Sequence, residues 1–332
     1  MPSSSPVPAK DMRRVWLLFL GFCLPLLVGW VALEWVLAQV PNSFSAKRDE
    51  LEPLAGNVDT IILGSSEAFF GISPHKLGGT AFNLANNAQT LYYDDEIMKR
   101  VLPELPRLKR VILQIDYVSL YSELYDNTDS WREYGYYQEW HIPLQRPIDY
   151  WNVRLFSRAA LYKTLSALLD LAKGRRADFA TCVDDRGWCD APQEWAAPRT
   201  DVAARQMIDG NHSNMHEEHV PGNTAALEQL LAMLHERGID VVILFMPVSA
   251  AYQAAMHQDS WKREQDIVQD LARKYGARCL SFVGEPRLTD EDFNDVNHLN
   301  ARGAVRFSGF LDAALGPPKV SDLPTSAPAS GT

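Results

Sequence analysis

The sequence is short of basic residues and of cysteines. Its 332 residues include 32 lysines and arginines against 42 aspartates and glutamates, which gives a formal net charge of −10 at pH 7. A nucleic-acid-binding surface needs positive charge to pair with phosphates, so we expect no nucleic-acid partner. The four cysteines do not have the number or spacing of zinc ligands. The sequence contains no internal repeat, and we expect no cofactor.

One long stretch contains no charged residue. It covers residues 15–33, and residues 35–38 continue the apolar character after Glu34. A helix needs about 20 apolar residues to cross the hydrocarbon core of a bilayer. We therefore predict a transmembrane signal-anchor over residues 15–40.

Basic residues precede this stretch. Lys10, Arg13 and Arg14 favour a cytoplasmic N-terminus, so residues 1–14 are predicted to be a cytoplasmic tail. The chain is then a single-pass protein of the bacterial inner (plasma) membrane, and the residues after the helix are periplasmic or extracellular.

Two alternatives to an anchor are a cleaved signal peptide and a buried core helix. The apolar run is long for a signal peptide, and no clear Ala-x-Ala cleavage site follows it. The absence of charge and the basic flank disfavour a core helix. A membrane anchor and a cleaved signal peptide would each place most of the chain outside the cytoplasm.

The rest of the chain has a simple predicted organisation. Residues 41–57 are a polar connector, and residues 58–316 form one folded domain with an insertion at about 117–221. Residues 317–332, rich in serine, proline and alanine, have the composition of a disordered tail.

Apolar strand-like runs alternate with helical patterns in the folded domain. Continuous apolar strands separated by helices are typical of a parallel α/β sheet covered on both faces. The predicted strands are residues 60–63, 81–84, 110–115, 241–245 and 278–282. The predicted helices are residues 92–102, 224–237 with Asn223 as N-cap, 261–275 and 301–315.

The predicted insertion is rich in aromatic residues and includes a predicted helix at about 155–172. Aromatic side chains can stack on sugar rings, but they also form the cores of small subdomains. The residues in question are Trp131, Tyr134, Tyr136, Tyr137, Trp140, Tyr150, Trp151, Trp188 and Trp195.

A serine early in the chain and a histidine near its end have the features of a catalytic pair. Gly64-Ser65-Ser66 follows the first predicted strand at the start of a helix, where a serine hydroxyl is exposed. Asp295 and His298 form an Asp-x-x-His motif before the last predicted helix. We predict that Ser66 is the nucleophile, that His298 is its base, and that Asp295 orients the histidine. Ser65 is the alternative nucleophile.

These two motifs, with Asn300 and Gly303-Ala304 after the second, resemble the SGNH (GDSL-like) hydrolase superfamily. The resemblance is strongest to its membrane-anchored, extracytoplasmic branch, which is associated with acylation of envelope polysaccharides. It covers the folded domain in scattered blocks, with Ser65 in place of the usual aspartate. The resemblance implies a three-layer, flavodoxin-like parallel sheet.

The resemblance also implies an oxyanion hole formed by Ser66, Ala88 and Asn87. Ala88 stands where the family has a glycine, and its N–H is expected to serve in the same way. The third strand ends in Asp116 rather than in the family's asparagine, and an ionised carboxylate repels an oxyanion. Asn86 and Asn87 are the candidates to replace that asparagine.

Several other polar residues have less specific patterns. Glu67 is expected to support a helix N-terminus through its charge. Asp94 and Asp95 are expected in the first turn of a helix. Cys182 and Cys189 could form a disulfide in an exported protein or remain free thiols. We expect no metal at the loop histidines, which are His212, His216 and His219.

The implied function is a membrane-tethered serine esterase or O-acyltransferase. The acyl group is expected to be acetyl and to be carried on Ser66 as an acyl-enzyme. The substrate is expected to be a cell-envelope polysaccharide or an exopolysaccharide. A membrane partner that donates the acyl group is implied only by analogy. The alternative is an inactive SGNH-like module that binds glycan or scaffolds a biosynthetic complex.

Overall fold

The structure is a computed structural model and describes residues 9–39, 41–158, 172, 182–190 and 196–318. These residues form two compact units, one within Met1–Asn42 and Ile148–Ala180 and the other within Ser43–Pro147 and Thr181–Thr332. The predicted helix at 155–172 lies mostly outside the described residues, as do Trp195 and the predicted disordered tail from residue 319 onward.

The first unit contains one long apolar helix, α1 (Ala9–Ala38), which continues through Pro25. Within its segment Met12–Ala38, an 18-residue window has a mean hydropathy of 2.3 and contains no buried residue. It is the one helix among the described residues that is long and apolar enough to cross a membrane. A buried core helix does not fit this exposure, whereas a membrane anchor and a signal sequence both do.

The second unit is built on a five-stranded, all-parallel sheet in the order β2-β1-β3-β4-β5. Ile61 of β1 pairs with Phe82 of β2 on one side and with Val111 of β3 on the other. All five predicted strands are confirmed. They are β1 (Thr60–Leu63), β2 (Ala81–Asn83), β3 (Arg110–Ile115), β4 (Asp240–Phe245) and β5 (Arg278–Ser281).

Helices connect the strands and cover the sheet. The described α-helices of this unit are α2 (Ser43–Leu51), α3 (Ser66–Gly71), α4 (Leu91–Val101), α5 (Arg132–Trp140), α6 (Asp201–Ser213), α7 (Val220–Glu236), α8 (Ala250–Ala255), α9 (Gln258–Tyr275) and α10 (Ala301–Leu315). Short 3-10 helices occur at Glu52–Asn57, Pro74–Lys76, Leu102–Glu104, Leu124–Asp126, Pro147–Trp151, Val153–Leu155, Glu217–His219 and Asp290–Asp292.

The sheet has an apolar layer on each face because successive strand residues point to opposite sides. Val111 and Leu113 of β3 belong to the core that includes residues of α4, α7 and α9. Ile112, between them, belongs to the core that includes residues of α3 and α10. Burial on both faces explains why the strands lack polar alternation in the sequence.

Helix α7 begins earlier than predicted. It starts at Val220, and Pro221 occupies the first turn, where a missing N–H costs nothing. Asn223 is not the N-cap: its buried side-chain amide donates to the carbonyl oxygens of Leu120 and Ser122 at 3.1 and 3.2 Å.

The segment predicted as a polar connector is helical and partly buried. Phe44 and Leu51 of α2 lie in the core of the second unit. Lys47 is also buried, and its Nζ lies 4.3 Å from the centre of the Phe69 ring. Burial lowers the pKa of Lys47 well below its usual value, although the charge of Asp184 acts in the opposite direction. A few apolar residues thus attach this polar segment to the domain.

A disulfide loop covers the outer edge of β2. Cys182 and Cys189 are joined by a disulfide, whereas Cys23 and Cys279 are free thiols. The N–H of Asn83 donates to the carbonyl oxygen of Arg186 at 2.9 Å. Lys47 Nζ donates to the carbonyl oxygens of Asn83 and Gly187 at 2.7 and 2.5 Å, so it holds the loop against the strand.

Candidate active site

The carboxyl ends of β1 and β3 lie side by side and carry polar residues. The strand order changes direction at β1, which has β2 on one side and β3 on the other. Ligands of open parallel sheets bind in the crevice at such a switch point. Ser65 and Ser66 follow β1 and Asp116 follows β3, and Ser65 Oγ lies 3.0 Å from Asp116 Oδ2.

The turn after β1 has a shape that requires glycine. Gly64 has φ +127°, and a Cβ at this position would lie 2.7 Å from the Cβ of Gln114. Ser65 is extended, and its N–H donates to Gln114 Oε1 at 2.7 Å. Helix α3 then begins at Ser66, so the nucleophile candidate occupies the first position of the helix.

The structure brings Ser66, His298 and Asp295 together. Ser66 Oγ lies 2.8 Å from His298 Nε2, across 232 residues of chain. His298 Nδ1 lies 2.9 Å from Asp295 Oδ2. If Nδ1 carries the proton and donates it to Asp295, Nε2 is left as an acceptor for the serine proton. This is the geometry of a serine–histidine–aspartate triad.

A tight loop holds the histidine and the aspartate. The N–H of Asn294 donates to the carbonyl oxygen of His298 at 2.7 Å and closes the loop. Asp295 Oδ1 accepts the N–H groups of Asn297 and His298 at 3.0 and 2.8 Å. The Asn297 side-chain amide donates to Glu67 Oε1 at 2.9 Å, so the loop is also attached to α3.

Electrostatics favour a charged His298–Asp295 pair. Burial opposes the positive charge of His298, but the hydrogen bond and charge of Asp295, with smaller effects of Glu67 and Asp116, raise its pKa above the usual value. Burial also opposes the charge of Asp295, yet its hydrogen bond to His298 and the charge of that residue lower its pKa. A proton accepted from Ser66 is therefore stabilised on the imidazole.

Ser65 faces carboxyl groups rather than the histidine. Its hydroxyl contacts Glu67 Oε2, Asp116 Oδ2 at 3.0 Å and Gln114 Oε1 at 3.1 Å. One hydroxyl proton cannot satisfy three acceptor oxygens, so the arrangement calls for a further proton, and Glu67 is the neighbouring carboxyl group whose pKa is raised. Ser65 is thus a link between these groups, and Ser66 is the serine beside the base.

Glu67 is buried and does more than support the helix N-terminus. Burial and then the charge of Asp116 raise its pKa to about 7, against the lowering effects of His298, Ser65 and Asn297. The sequence predicts that Glu67 supports the helix N-terminus through its charge, and a pKa of about 7 means that this charge changes near neutral pH. The sequence contains no sign of this because Glu67 and Asp116 meet only through the strand order.

Ala88 has the backbone conformation expected of a glycine. Its φ is +54°, and only one other described non-glycine residue, His141, has a positive φ. Among the described residues, the N–H groups of Ser66 and Ala88 make no hydrogen bond. Both residues line the same cavity, where these donors are available to an oxyanion.

The other predicted oxyanion residues are placed differently. Asn87 lines the cavity, and its side-chain oxygen is buried without a partner. Asn86 is buried, and its side chain accepts the N–H of Asn87 at 2.9 Å. Asp116 Oδ1 accepts the N–H of Val118 and the hydroxyl of Ser119, both at 2.9 Å, so local backbone holds this carboxyl group.

Asp94 of α4 holds both the turn after β1 and the loop after β2. Its Oδ1 accepts the N–H of Gly64 at 3.0 Å and the Nε2 of Gln89 at 2.6 Å. Burial raises the pKa of Asp94 to about 7, although these hydrogen bonds oppose the shift. Asp95, beside it, pairs with Lys99 at 2.7 Å and has a structural role on the helix.

The triad opens into a cavity of about 470 Å³. Its outer wall comes from the predicted insertion and consists mainly of side-chain amides, hydroxyls and one ion pair, in which Arg132 Nε lies 3.0 Å from Asp129 Oδ1. Sequence reasoning missed these wall residues, because a long connection gives no periodic pattern. They are Asn127, Thr128, Asp129, Arg132, Asn211 and Asn214.

Three of the aromatic residues named for the predicted insertion are buried. Tyr136 is buried and stacks on Tyr93, with ring centres 4.1 Å apart, and Tyr134 and Trp140 are also buried. None of the described aromatic residues of the predicted insertion that are named above lines the cavity, whose aromatic side chains are those of Phe70, Tyr117 and Tyr252.

Of the predicted loop histidines, His216 and His219 have ring centres 5.4 Å apart, whereas His212 has a different neighbour. His219 Nε2 lies 2.9 Å from Asp126, whereas the His212 ring lies 4.2 Å from that of His257. Among the described residues, a metal could be held by the group of His75, Asp184 and Asp185, which lies at the surface. Asp184 is already engaged there, since it accepts the N–H groups of Arg186 and Trp188.

Comparisons with known proteins do not identify a family for the chain. A scan against models of protein families finds no match, and a search of curated proteins finds no significantly similar sequence. The functional conclusion therefore depends on the geometry of the site.

Proposed function

We propose that the protein is a serine esterase or O-acyltransferase. The observation that carries this proposal is the hydrogen-bonded chain from Ser66 Oγ to His298 Nε2, 2.8 Å, and from His298 Nδ1 to Asp295, 2.9 Å. The hydroxyl lies in a cavity and the base is backed by a carboxylate, which are the requirements for nucleophilic acyl transfer.

The first half-reaction forms an acyl-enzyme. His298 Nε2 takes the Ser66 proton while Oγ attacks the carbonyl carbon of an ester. The tetrahedral intermediate then collapses, the ester C–O bond breaks, and His298 returns the proton to the leaving alkoxide. Asp295 stabilises the imidazolium during both steps.

The second half-reaction decides between hydrolysis and transfer. Water or a sugar hydroxyl gives its proton to His298 and attacks the acyl carbon. The bond between the acyl carbon and Ser66 Oγ then breaks, and His298 returns the proton to Ser66 Oγ. Water produces a carboxylic acid, whereas a sugar hydroxyl produces a new ester. The proposed function includes both hydrolysis and acyl transfer.

The proposed oxyanion hole consists of the backbone N–H groups of Ser66 and Ala88, with the Asn87 side chain beside them. The positive φ of Ala88 supports this role, because it reproduces a conformation normally adopted by glycine. Asp116, in place of an asparagine, is held by Ser119 and Val118 and contributes no donor to the hole.

We further propose that the second unit is a flavodoxin-like, SGNH-type domain. The strand order β2-β1-β3-β4-β5 is the order of flavodoxin-like sheets, and the triad lies at its switch point. These features support the resemblance seen in the sequence motifs.

The proposed substrate is an exported or envelope polysaccharide bearing acyl groups, acetyl in the first instance. The amide and hydroxyl side chains of the cavity wall, such as Asn127 and Asn211, are suited to bind sugar hydroxyls. An acyl donor supplied by a membrane partner belongs to the same proposal and rests on analogy.

The proposed location is the inner membrane of a bacterium, with α1 as the anchor and the second unit on the outer side. The basic residues before α1 favour a cytoplasmic N-terminus. The disulfide between Cys182 and Cys189 supports an oxidising compartment.

A second candidate function is a non-catalytic SGNH-like module that binds glycan or scaffolds a membrane complex. The observation that favours it is Asp116, because a carboxyl group stands where the family has an oxyanion donor. Loss of one such donor lowers kcat by about 10²- to 10³-fold in other enzymes.

The test uses the full chain in detergent micelles, a fluorophosphonate probe and 4-nitrophenyl acetate. We expect labelling and acetate release from the wild type and a loss of at least about 10³-fold in Ser66→Ala and His298→Ala. Ser122→Ala is the matched control, since Ser122 lines the same cavity without a histidine partner. A folded wild type that is neither labelled nor active would favour the non-catalytic module.

A further inference from the structure

A short segment far from α1 in the sequence also exposes large apolar side chains. Ile148, Trp151, Val153 and Phe156 are exposed by 70, 86, 61 and 73%. Among the described residues, the other large exposed apolar side chains belong to α1, apart from Val202 and Val305. We call residues 148–156 the apolar segment.

The apolar segment is attached to the C-terminal part of α1. Ser157 Oγ donates to Glu34 Oε1 at 2.6 Å, and the N–H of Arg158 donates to Glu34 Oε2 at 2.8 Å. Glu34 is the one acidic residue within the candidate span. The segment and the helix also belong to the same compact unit.

The position of Glu34 along the helix sets the depth of the segment. At 1.5 Å per residue, Glu34 lies roughly 13 to 14 Å from the middle of Met12–Ala38. Half of a typical hydrocarbon core is about 15 Å thick, so Glu34 reaches the boundary between acyl chains and headgroups. Residues that are hydrogen-bonded to Glu34 lie at the same depth in the bilayer.

We propose that the apolar segment is a second membrane contact that inserts Trp151, Val153 and Phe156 at the boundary between the headgroups and the acyl chains of the bilayer. This inference rests on the proposed anchoring by α1. Tryptophan is favoured at that depth, because its ring is apolar and its N–H is polar. The continuity with α1, rather than exposure alone, identifies lipid as the partner.

The experiment measures the depth of spin labels on the full chain in vesicles of phosphatidylcholine and phosphatidylglycerol. Cys23→Ser and Cys279→Ser remove the free thiols, and labelling without reductant leaves the Cys182–Cys189 disulfide intact. Val153→Cys reports on the segment. Val202→Cys is the matched control, an equally exposed valine on α6 (66%).

We expect a label at residue 153 to collide more with oxygen, which concentrates in lipid, than with a water-soluble nickel chelate. A label at residue 202 is expected to collide more with the nickel chelate than with oxygen. Leu26→Cys, in the middle of α1, provides the reference for lipid, and Trp151→Cys provides a second reading of the segment.

The possible results separate this inference from the proposed anchor. If the Leu26 label lies in lipid while the Val153 and Trp151 labels behave like that at Val202, the second contact is wrong and the anchor stands. Labels shielded from both reagents at 151 and 153 would indicate a protein partner and also overturn it. A water-exposed Leu26 label would refute the anchor and the inference together.

Discussion

Asp94 Oδ1 accepts the N–H of Gly64 at 3.0 Å and thereby fastens the turn that carries Ser66 to helix α4. The same oxygen accepts Nε2 of Gln89, the residue after Ala88, at 2.6 Å. One buried carboxyl oxygen therefore holds both the nucleophile turn and the proposed oxyanion loop. Its protonation links the stability of the site to pH.

We predict that Asp94 makes the folded state less stable as the pH rises towards neutrality. Its pKa is about 7 in the folded chain against an ordinary value of 3.8, so the folded state binds the proton more tightly. The stabilisation is complete below about pH 4 and is lost as the pH rises through about 7. Asp94→Asn should remove a few kcal/mol of this pH dependence.

Thermal unfolding at about pH 5 and about pH 8 checks this prediction. The difference between the two midpoints should be smaller in Asp94→Asn than in the wild type. Asp49→Asn, on the exposed surface of α2, is the control and should keep the wild-type difference. An unchanged difference in Asp94→Asn would show that Asp94 is ionised in the folded protein.

We predict that Asp295→Asn lowers kcat by roughly 10⁴-fold with little change in folding. The amide has no negative charge to stabilise the imidazolium, and its NH2 group can donate to Nδ1, which favours the wrong tautomer of His298. Steady-state kinetics with 4-nitrophenyl acetate and circular dichroism check both parts. Asp290→Asn, in the 3-10 helix Asp290–Asp292 that precedes the Asp295 loop, lies outside the cavity and should retain activity.

We predict that Glu67→Gln moves the acidic limb of the kcat/KM profile to lower pH. His298 must be neutral to accept a proton, and the negative charge of Glu67 helps to raise the pKa of His298. Removing that charge lowers the pKa, so the base stays neutral at a lower pH.

Glu123→Gln is the matched control for this profile. Burial raises the pKa of Glu123 to about 7 as well, but its side chain pairs with Gln145 and does not act on His298. The acidic limb of the kcat/KM profile of Glu123→Gln should coincide with that of the wild type. A Glu67→Gln limb at the wild-type position would show that Glu67 is neutral throughout the active range.

We predict that Ala88→Gly stabilises the protein by about 1 kcal/mol without loss of activity. A left-handed conformation costs an alanine about 1–2 kcal/mol and costs glycine little, although glycine gives up more entropy on folding. Chemical denaturation measures the change. Ala85→Gly, at a buried alanine without a positive φ, should instead lose stability.

The strands and the members of the proposed triad could be predicted from the sequence because their signals are local. Residues 60–63 and 110–115 are apolar runs, and β1 and β3 have these same bounds. Ser66 comes shortly after β1, and Asp295 and His298 shortly precede helix α10, so each motif is next to a recognisable element.

Other parts of the site depend on neighbours that the sequence does not reveal. The cluster of Ser65, Glu67 and Asp116 exists because β1 lies next to β3. The cavity wall combines Asn127 with Asn211 from distant parts of the chain. The burial of α2 depends on Phe44 and Lys47 finding partners in the second unit, which polar composition alone does not suggest.

The loop between Cys182 and Cys189 has a consequence for how the chain can be produced. β2 is an outer strand, and an uncovered strand of this kind is a template on which other chains can pair and aggregate. The N–H of Asn83 is satisfied by the loop, and Lys47 secures its carbonyl oxygen. In a reducing cytoplasm the Cys182–Cys189 disulfide would not form, and the loop that covers β2 would lack this cross-link. The yield of soluble protein should therefore depend on oxidative conditions during folding.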